Sequence, residues 1–241
     1  LEWAVRIALE CRRRVKEQQR RIGAAEFRNT QFGYRIGEGV EQFVTTPELA
    51  SPDTIGLDPL PPGQVWALGE GGGDSGAGLY RIEVTDSPGG ATGLINQSAP
   101  APLKESFNLA KQNLSAQARD LVGDRVPSEH GLMAQVRALD AAKSGAGLGL
   151  PLLLALASAV LQRSVRGGLI AVGNLTLGGG VETVLNAAAL AEHAMEKGAT
   201  ALLLPVSARR QLLDVSDEVA TRVSFVFYSD AKDALLKALD E

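Results

Sequence analysis

The spacing of apolar residues changes repeatedly along this chain, and each change predicts an element. Near the start, Trp3, Ile7, Cys11 and Val15 recur every four residues among strong helix formers, with neither Gly nor Pro before Gly23. That spacing predicts a helix over 1–22 with one narrow apolar stripe. Val40–Thr46 is strand-like, set in turn-rich sequence marked by Pro47, Pro52, Pro59, Pro61, Pro62 and Gly63. Gln64–Leu68 and Gly78–Thr85 alternate as half-buried strands do. Helical spacing returns over Pro102–Val122, where Leu103, Phe107, Ala110, Leu114 and Leu121 fall on or near one face.

A loop containing Pro127, His130 and Gly131 leads into Leu132–Leu139, and from there the period alternates. It predicts helix Pro151–Arg163, strand Leu169–Val172, a hairpin-like Leu175–Val184, helix Ala187–Lys197 and strand Ala201–Leu204. A short helix near Ser207–Leu213, strand Val223–Tyr228 and helix Ala231–Leu239 complete the pattern. Strands interleaved with helices predict an α/β body. The organisation expected is a basic connector helix (1–23), a β-rich segment (24–100) and an α/β domain (101–241). The longest apolar run, Leu148–Leu161, is too short to span a bilayer and predicts a buried helix, so no membrane partner is expected.

Composition adds bounds. The 241 residues are 45% hydrophobic and 22% charged, an ordinary globular balance that excludes disordered and collagen-like classes. The net charge of -4 hides an asymmetry: residues 1–22 carry seven Lys or Arg against three Glu. This basic rod reads as a solvated helix covering the domain or joining it to an upstream one. The second reading makes Arg12, Arg13, Arg14, Lys16, Arg20 and Arg21 contacts to nucleic-acid phosphates. Cys11 is the single cysteine, which rules out an internal disulfide and suits a reducing cytoplasm. With only His130 and His193 beside it, no metal site of the usual His/Cys kind is expected. The run Gly69–Gly76 lacks the Lys-Ser/Thr that closes a phosphate loop, and no helical pattern follows it. It predicts a hairpin loop, and no cofactor is expected in this chain.

The candidate chemistry lies in Lys143-Ser-Gly-Ala-Gly-Leu-Gly149 and in Gly173-Asn-Leu-Thr-Leu-Gly-Gly-Gly-Val181. Pro151 suits the first turn of a helix, where a missing N–H is no loss. Glycines 145, 147 and 149 then form an entry just before exposed helix N–H groups. Such a turn can hold a nucleophile where the helix dipole and free amides stabilise an oxyanion. It can equally let the backbone pass close to another strand.

These two blocks resemble the catalytic core of Lon-type serine peptidases. That family carries Pro-Lys-Asp-Gly-Pro-Ser-Ala-Gly at a helix start, with Ser as nucleophile and a Lys base 43 residues later. The resemblance puts Lys143 and Gly145 at the flanking Lys and Gly, and Ser144 at the Asp. Gly147 falls at the nucleophilic Ser and Leu190 at the base Lys, with the family spacing kept. Val172 replaces the Thr that supports that Lys, and Leu185-Asn186 replaces a Gly-Gly pair. A Ser–Lys mechanism needs a hydroxyl and an amine of depressed pKa in contact, and Gly with Leu offers neither. The expectation is therefore a Lon proteolytic-domain-like fold with degenerate dyad positions and no peptidase activity. The alternative is an active peptidase with a relocated site at Ser144, with Lys143 beside it.

Further blocks extend the resemblance over nearly the whole chain: Glu10–Gln19, Arg35–Val40, Gly78–Glu83, Leu204-Pro205 and Phe227–Asp230. In order they resemble the C-terminal region of the BrxL family, Lon-like proteins of bacterial BREX phage-defence systems. That resemblance implies an upstream AAA+ ATPase, where ATP and Mg would bind, a ring homo-oligomer in the full-length protein, and contact with DNA through it. Starting at Leu1 inside a helical pattern, the chain reads as a piece of something longer.

Overall fold

The computed structural model describes residues 32–35, 41–44, 55–70, 77–96, 98–139 and 144–240. The expected helix over 1–23, with Arg12, Arg13, Arg14, Lys16, Arg20 and Arg21, lies outside the described residues, as do Lys143 and the glycine loop 71–76. The chain divides into two compact units, Leu1–Pro52 and Asp53–Glu241. In the first, β1 (Phe32–Arg35) and β2 (Glu41–Val44) form an antiparallel pair with Phe32 opposite Val44.

The second unit is α/β and carries a seven-stranded sheet. In chain order it contains β3 (Gln64–Glu70), β4 (Ala77–Pro88), β5 (Gly93–Leu94), α1 (Ala101–Ala116), α2 (Ala118–Val122) and β6 (His130–Ala138). There follow α3 (Gly149–Leu161), β7 (Leu169–Ala171), α4 (Ala187–Glu196), β8 (Ala201–Pro205), α5 (Asp217–Arg222), β9 (Ser224–Tyr228) and α6 (Ala231–Ala238). The strand order is β5-β6-β4-β3-β7-β8-β9. One half is built on the antiparallel ladders β3–β4 and β4–β6, and the other is the parallel run β3–β7–β8–β9. The two halves explain two sequence signatures. Strands β7 and β8 are buried throughout and read as unbroken apolar runs, as parallel strands covered on both faces do. Strand β6 alternates buried and exposed positions, because one of its faces meets solvent. Strands β3, β4 and β5, from the expected β-rich segment, share this sheet with the strands after residue 101.

Helix α3 is the centre of the core. Its residues Gly149 to Val160 are all buried, and it packs on α1, β3, β4 and α6. Ser158, its one polar interior residue, is satisfied: Oγ accepts from the Gly63 N–H at 3.0 Å and donates to the Arg163 carbonyl at 2.6 Å. Among the described residues no helix is long and apolar enough to cross a membrane.

Several expected boundaries differ. The helix expected over Pro102–Val122 is two helices, broken at Gln117, whose φ of -110° and ψ of 23° leave the α region. The expected hairpin over Leu175–Val184 is not a strand pair; one isolated bridge joins Leu175 to Val181. Side chains do the work of the ladder there, since Asn113 Nδ2 donates to Thr176 O at 3.0 Å and Thr176 Oγ1 accepts from Gly180 N–H. The short helix near Ser207–Leu213 is a 3-10 run, Val206–Asp214.

Candidate active site

The turn at 144–148 is held by its own backbone groups. The Gly145 N–H donates to Tyr80 Oη at 3.0 Å, and the Gly145 carbonyl accepts from Ser106 Oγ at 3.3 Å, both in the interior. Two positions later Gly147 has φ of 73°, in the left-handed region that residues with a Cβ seldom adopt. Helix α3 starts directly after this turn.

The first amides of α3 are already engaged. Gly149 N–H donates to Asn174 Oδ1 at 3.2 Å, and Leu150 N–H donates to the Gly173 carbonyl at 3.2 Å. Pro151 has no N–H, and Leu152 N–H closes the first helical bond on Leu148 O. The helix N-terminus thus presents Asn174 and Gly173 with the donors an oxyanion would need. Asn174 is fixed in turn, because its Nδ2 donates to Glu182 Oε2 at 2.7 Å. Gly173 itself follows from a close approach: a Cβ there would stand 2.0 Å from Tyr228 Oη, which donates to Val172 O at 2.9 Å. Burial raises the Tyr228 pKa well above its ordinary value of 10.0.

A cavity of about 250 Å³ opens beside this turn. Gly147, Val172 and Leu190 all line it, so the fold brings together the three positions that the resemblance sets at the nucleophile, the supporting Thr and the base. Leu190 is 6% exposed and belongs to the core through α4. The polar lining includes Glu105, Ser106 and Asn174. Ser144 is half-buried, and its Oγ accepts from Ala146 N–H at 3.4 Å. It is not among the residues lining the cavity. The histidines are elsewhere: His130 Nδ1 lies 2.6 Å from Asp86 Oδ2, and His193 lies 3.6 Å from Glu196 one turn along α4. Among the described residues no group of three or more His, Cys, Asp or Glu gathers that could hold a metal ion.

Sequence reasoning missed Tyr80, Ser106 and Asn174 as organisers of the turn. Asn174 carried a signal, since it sits where the family block has Glu. Tyr80 and Ser106 gave none, being polar residues inside ordinary strand and helix patterns.

Comparison with known proteins agrees with this geometry. Residues 66–241 match the model of the Lon protease (S16) C-terminal proteolytic domain. A curated relative named Lon-like protease BrxL, from Escherichia coli O9:H4 (strain HS), is 33% identical over 96% of this chain and 34% of its own length. A second protein of that name, from Bacillus cereus (strain H3081.97), is 27% identical over 99% of this chain and 36% of its own. The chain spans about a third of the length of these relatives. The matched region begins within β3 and takes in the rest of the seven-stranded sheet, the cavity, Gly147 and Leu190, and the chain belongs to the Lon protease C-terminal proteolytic domain family.

Proposed function

We propose that this chain is a degenerate Lon protease-like domain that hydrolyses no peptide bond and serves as an assembly module of an AAA+ ATPase-linked protein in BREX phage defence. The observation that carries the reading is the pairing of Gly147, with its left-handed backbone, and buried Leu190 at one cavity. Neither side chain can attack a carbonyl or accept a proton. The amides that could stabilise a tetrahedral intermediate at this helix end are bonded to Asn174 and Gly173. What the site retains is shape. A scaffold with a preserved fold and no reacting groups has a plain use in holding copies of the whole protein together.

In this reading the upstream region binds ATP and Mg, the full-length protein is a cytoplasmic ring of identical subunits, and DNA is engaged through that ring. The names of the two relatives support the family half of the proposal; the hydrolytic half is what experiment must decide. The direct test incubates the full-length protein with ATP, Mg and unfolded casein. No cleavage is expected. Cleavage that Ser144→Ala abolishes would establish the relocated Ser144 site instead. Sedimentation of the full-length protein should give a ring, and a monomer would overturn the assembly role. Replacing Arg12, Arg13 and Arg14 together should leave DNA binding at physiological salt unchanged, and its loss would make the basic N-terminal segment the nucleic-acid contact.

A further inference from the structure

A second site stands on the sheet away from the turn. Tyr80 reaches Gly145 from one face of β4, so its neighbour Arg81 projects from the other. Arg81 lies directly opposite Trp66 in the β3–β4 ladder, and its guanidinium stacks over the indole ring with Cζ 4.5 Å from the ring centroid. Both residues are more than nine-tenths buried, at 9% and 6% exposure. Arg81 Nη2 donates to Gln64 Oε1, and Arg81 Nε faces Glu83 Oε1 at 3.6 Å. Arg81 Nη1 and Trp66 Nε1 are also shut off from solvent, and among the described residues no acceptor reaches either.

Among the described residues the charges are short by one in the same place. Glu83 Oε1 is shared between Arg81 and Arg137, each at 3.6 Å, so two guanidiniums have one carboxylate between them. Burial lowers the Arg81 pKa, in keeping with a cation whose lost hydration is only partly replaced. Two buried donors that no acceptor among the described residues reaches, and a carboxylate shared between two guanidiniums, ask for the same thing, a further carboxylate. We propose that Arg81 Nη1 and Trp66 Nε1 form a docking site for the carboxylate of an Asp or Glu side chain carried by an acidic segment of a partner protein. Glu83 and Arg137 are the more exposed side chains of the cluster, at 35% and 55%, so the partner would approach from their side. A nucleic acid fits less well, because the donors on offer are one pair at one buried point, whereas a phosphate backbone is held by charges repeated along its length.

Fluorescence anisotropy tests this with a labelled, end-blocked peptide of alternating Glu and Gly titrated with the chain. The expected result is saturable binding that disappears when the peptide carries Gln for Glu, a control that leaves the protein untouched. Trp66→Phe keeps the stack but deletes Nε1, and Arg81→Lys keeps the charge but deletes the fork; each should weaken binding about tenfold. Circular dichroism checks that both variants fold. Equal binding of the Gln peptide, or unchanged affinity in both variants, overturns the proposal. So does competition by inorganic phosphate stronger than by acetate, which would make the site one for phosphate, or tighter binding of a single-stranded oligonucleotide than of the peptide.

Discussion

The turn before α3 and the Arg81–Trp66 face lie in one sheet-and-helix body, yet they use their polar groups in opposite ways. At the turn, Tyr80, Ser106 and Asn174 all bond backbone groups, and Tyr228 does the same one strand away. On the other face Arg81 and Trp66 each keep a buried donor that no acceptor among the described residues reaches. A satisfied network fixes a shape and is costly to disturb, whereas an unsatisfied one is a standing demand for a partner. By that measure the cavity beside the turn is architecture, and the less conspicuous face is the one prepared for binding.

The largest effect should come from placing a Ser–Lys pair in the cavity. Gly147→Ser with Leu190→Lys puts a Cβ on left-handed backbone and an amine among core side chains, and should cost about 4 kcal/mol of stability. Casein hydrolysis should stay absent; urea unfolding and a protease assay read the two outcomes. Gly173→Ala comes next, because its Cβ would meet Tyr228 Oη at 2.0 Å on backbone with φ of 140°. A loss of about 3 kcal/mol is expected in the same unfolding experiment.

Tyr228→Phe sharpens the contrast by removing a single hydroxyl. It strands the buried Val172 carbonyl and should cost about 1.5 kcal/mol. The pH dependence follows from the raised pKa. Below pH 10 the phenol is protonated folded and unfolded, and its contribution is fully present. Above pH 10 the unfolded chain ionises first, so stability falls as pH rises toward the folded-state value. Urea midpoints between pH 8 and pH 11 should show this alkaline decline in the native chain and a flatter one in Tyr228→Phe. The smallest effect belongs to the other face. Arg81→Met exchanges an incompletely paired buried cation for an apolar chain of similar length, and should shift stability by about 0.5 kcal/mol in either direction. A loss as large as that of Tyr228→Phe would show that Arg81 is satisfied after all.

Legibility in the sequence divided along physical lines. Strands β7, β8 and β9 and helix α3 could be read as apolar runs whose lengths suit strand and helix, and helices α4 and α6 because burial of one face imposes a period. The break at Gln117 could not, since Gln is a good helix former and the chain turns there for tertiary reasons. Helix α5 was missed because six residues hold too little of a repeat. Gly147 and Leu190 were paired only through the family resemblance; nothing in one glycine and one leucine singles them out without it. Trp66 and Arg81 were invisible as a pair, because only the register of β3 on β4 sets them face to face. Separate strands hide the partnership until the ladder is known.

Helix α3 has a consequence for the order in which this protein is made. Its residues Gly149 to Val160 have no face that suits water, so the segment is sticky from the moment it is synthesised. Its partners α1, β3 and β4 precede it in the chain, while α6 follows it. The bond from Gly63 to Ser158 joins residues 95 apart, so the helix is tied to the residue just before β3. Assembly on the ribosome can therefore begin to cover α3 at once and must leave it partly bare until α6 is made, which places the hazard of misassociation in the interval between them.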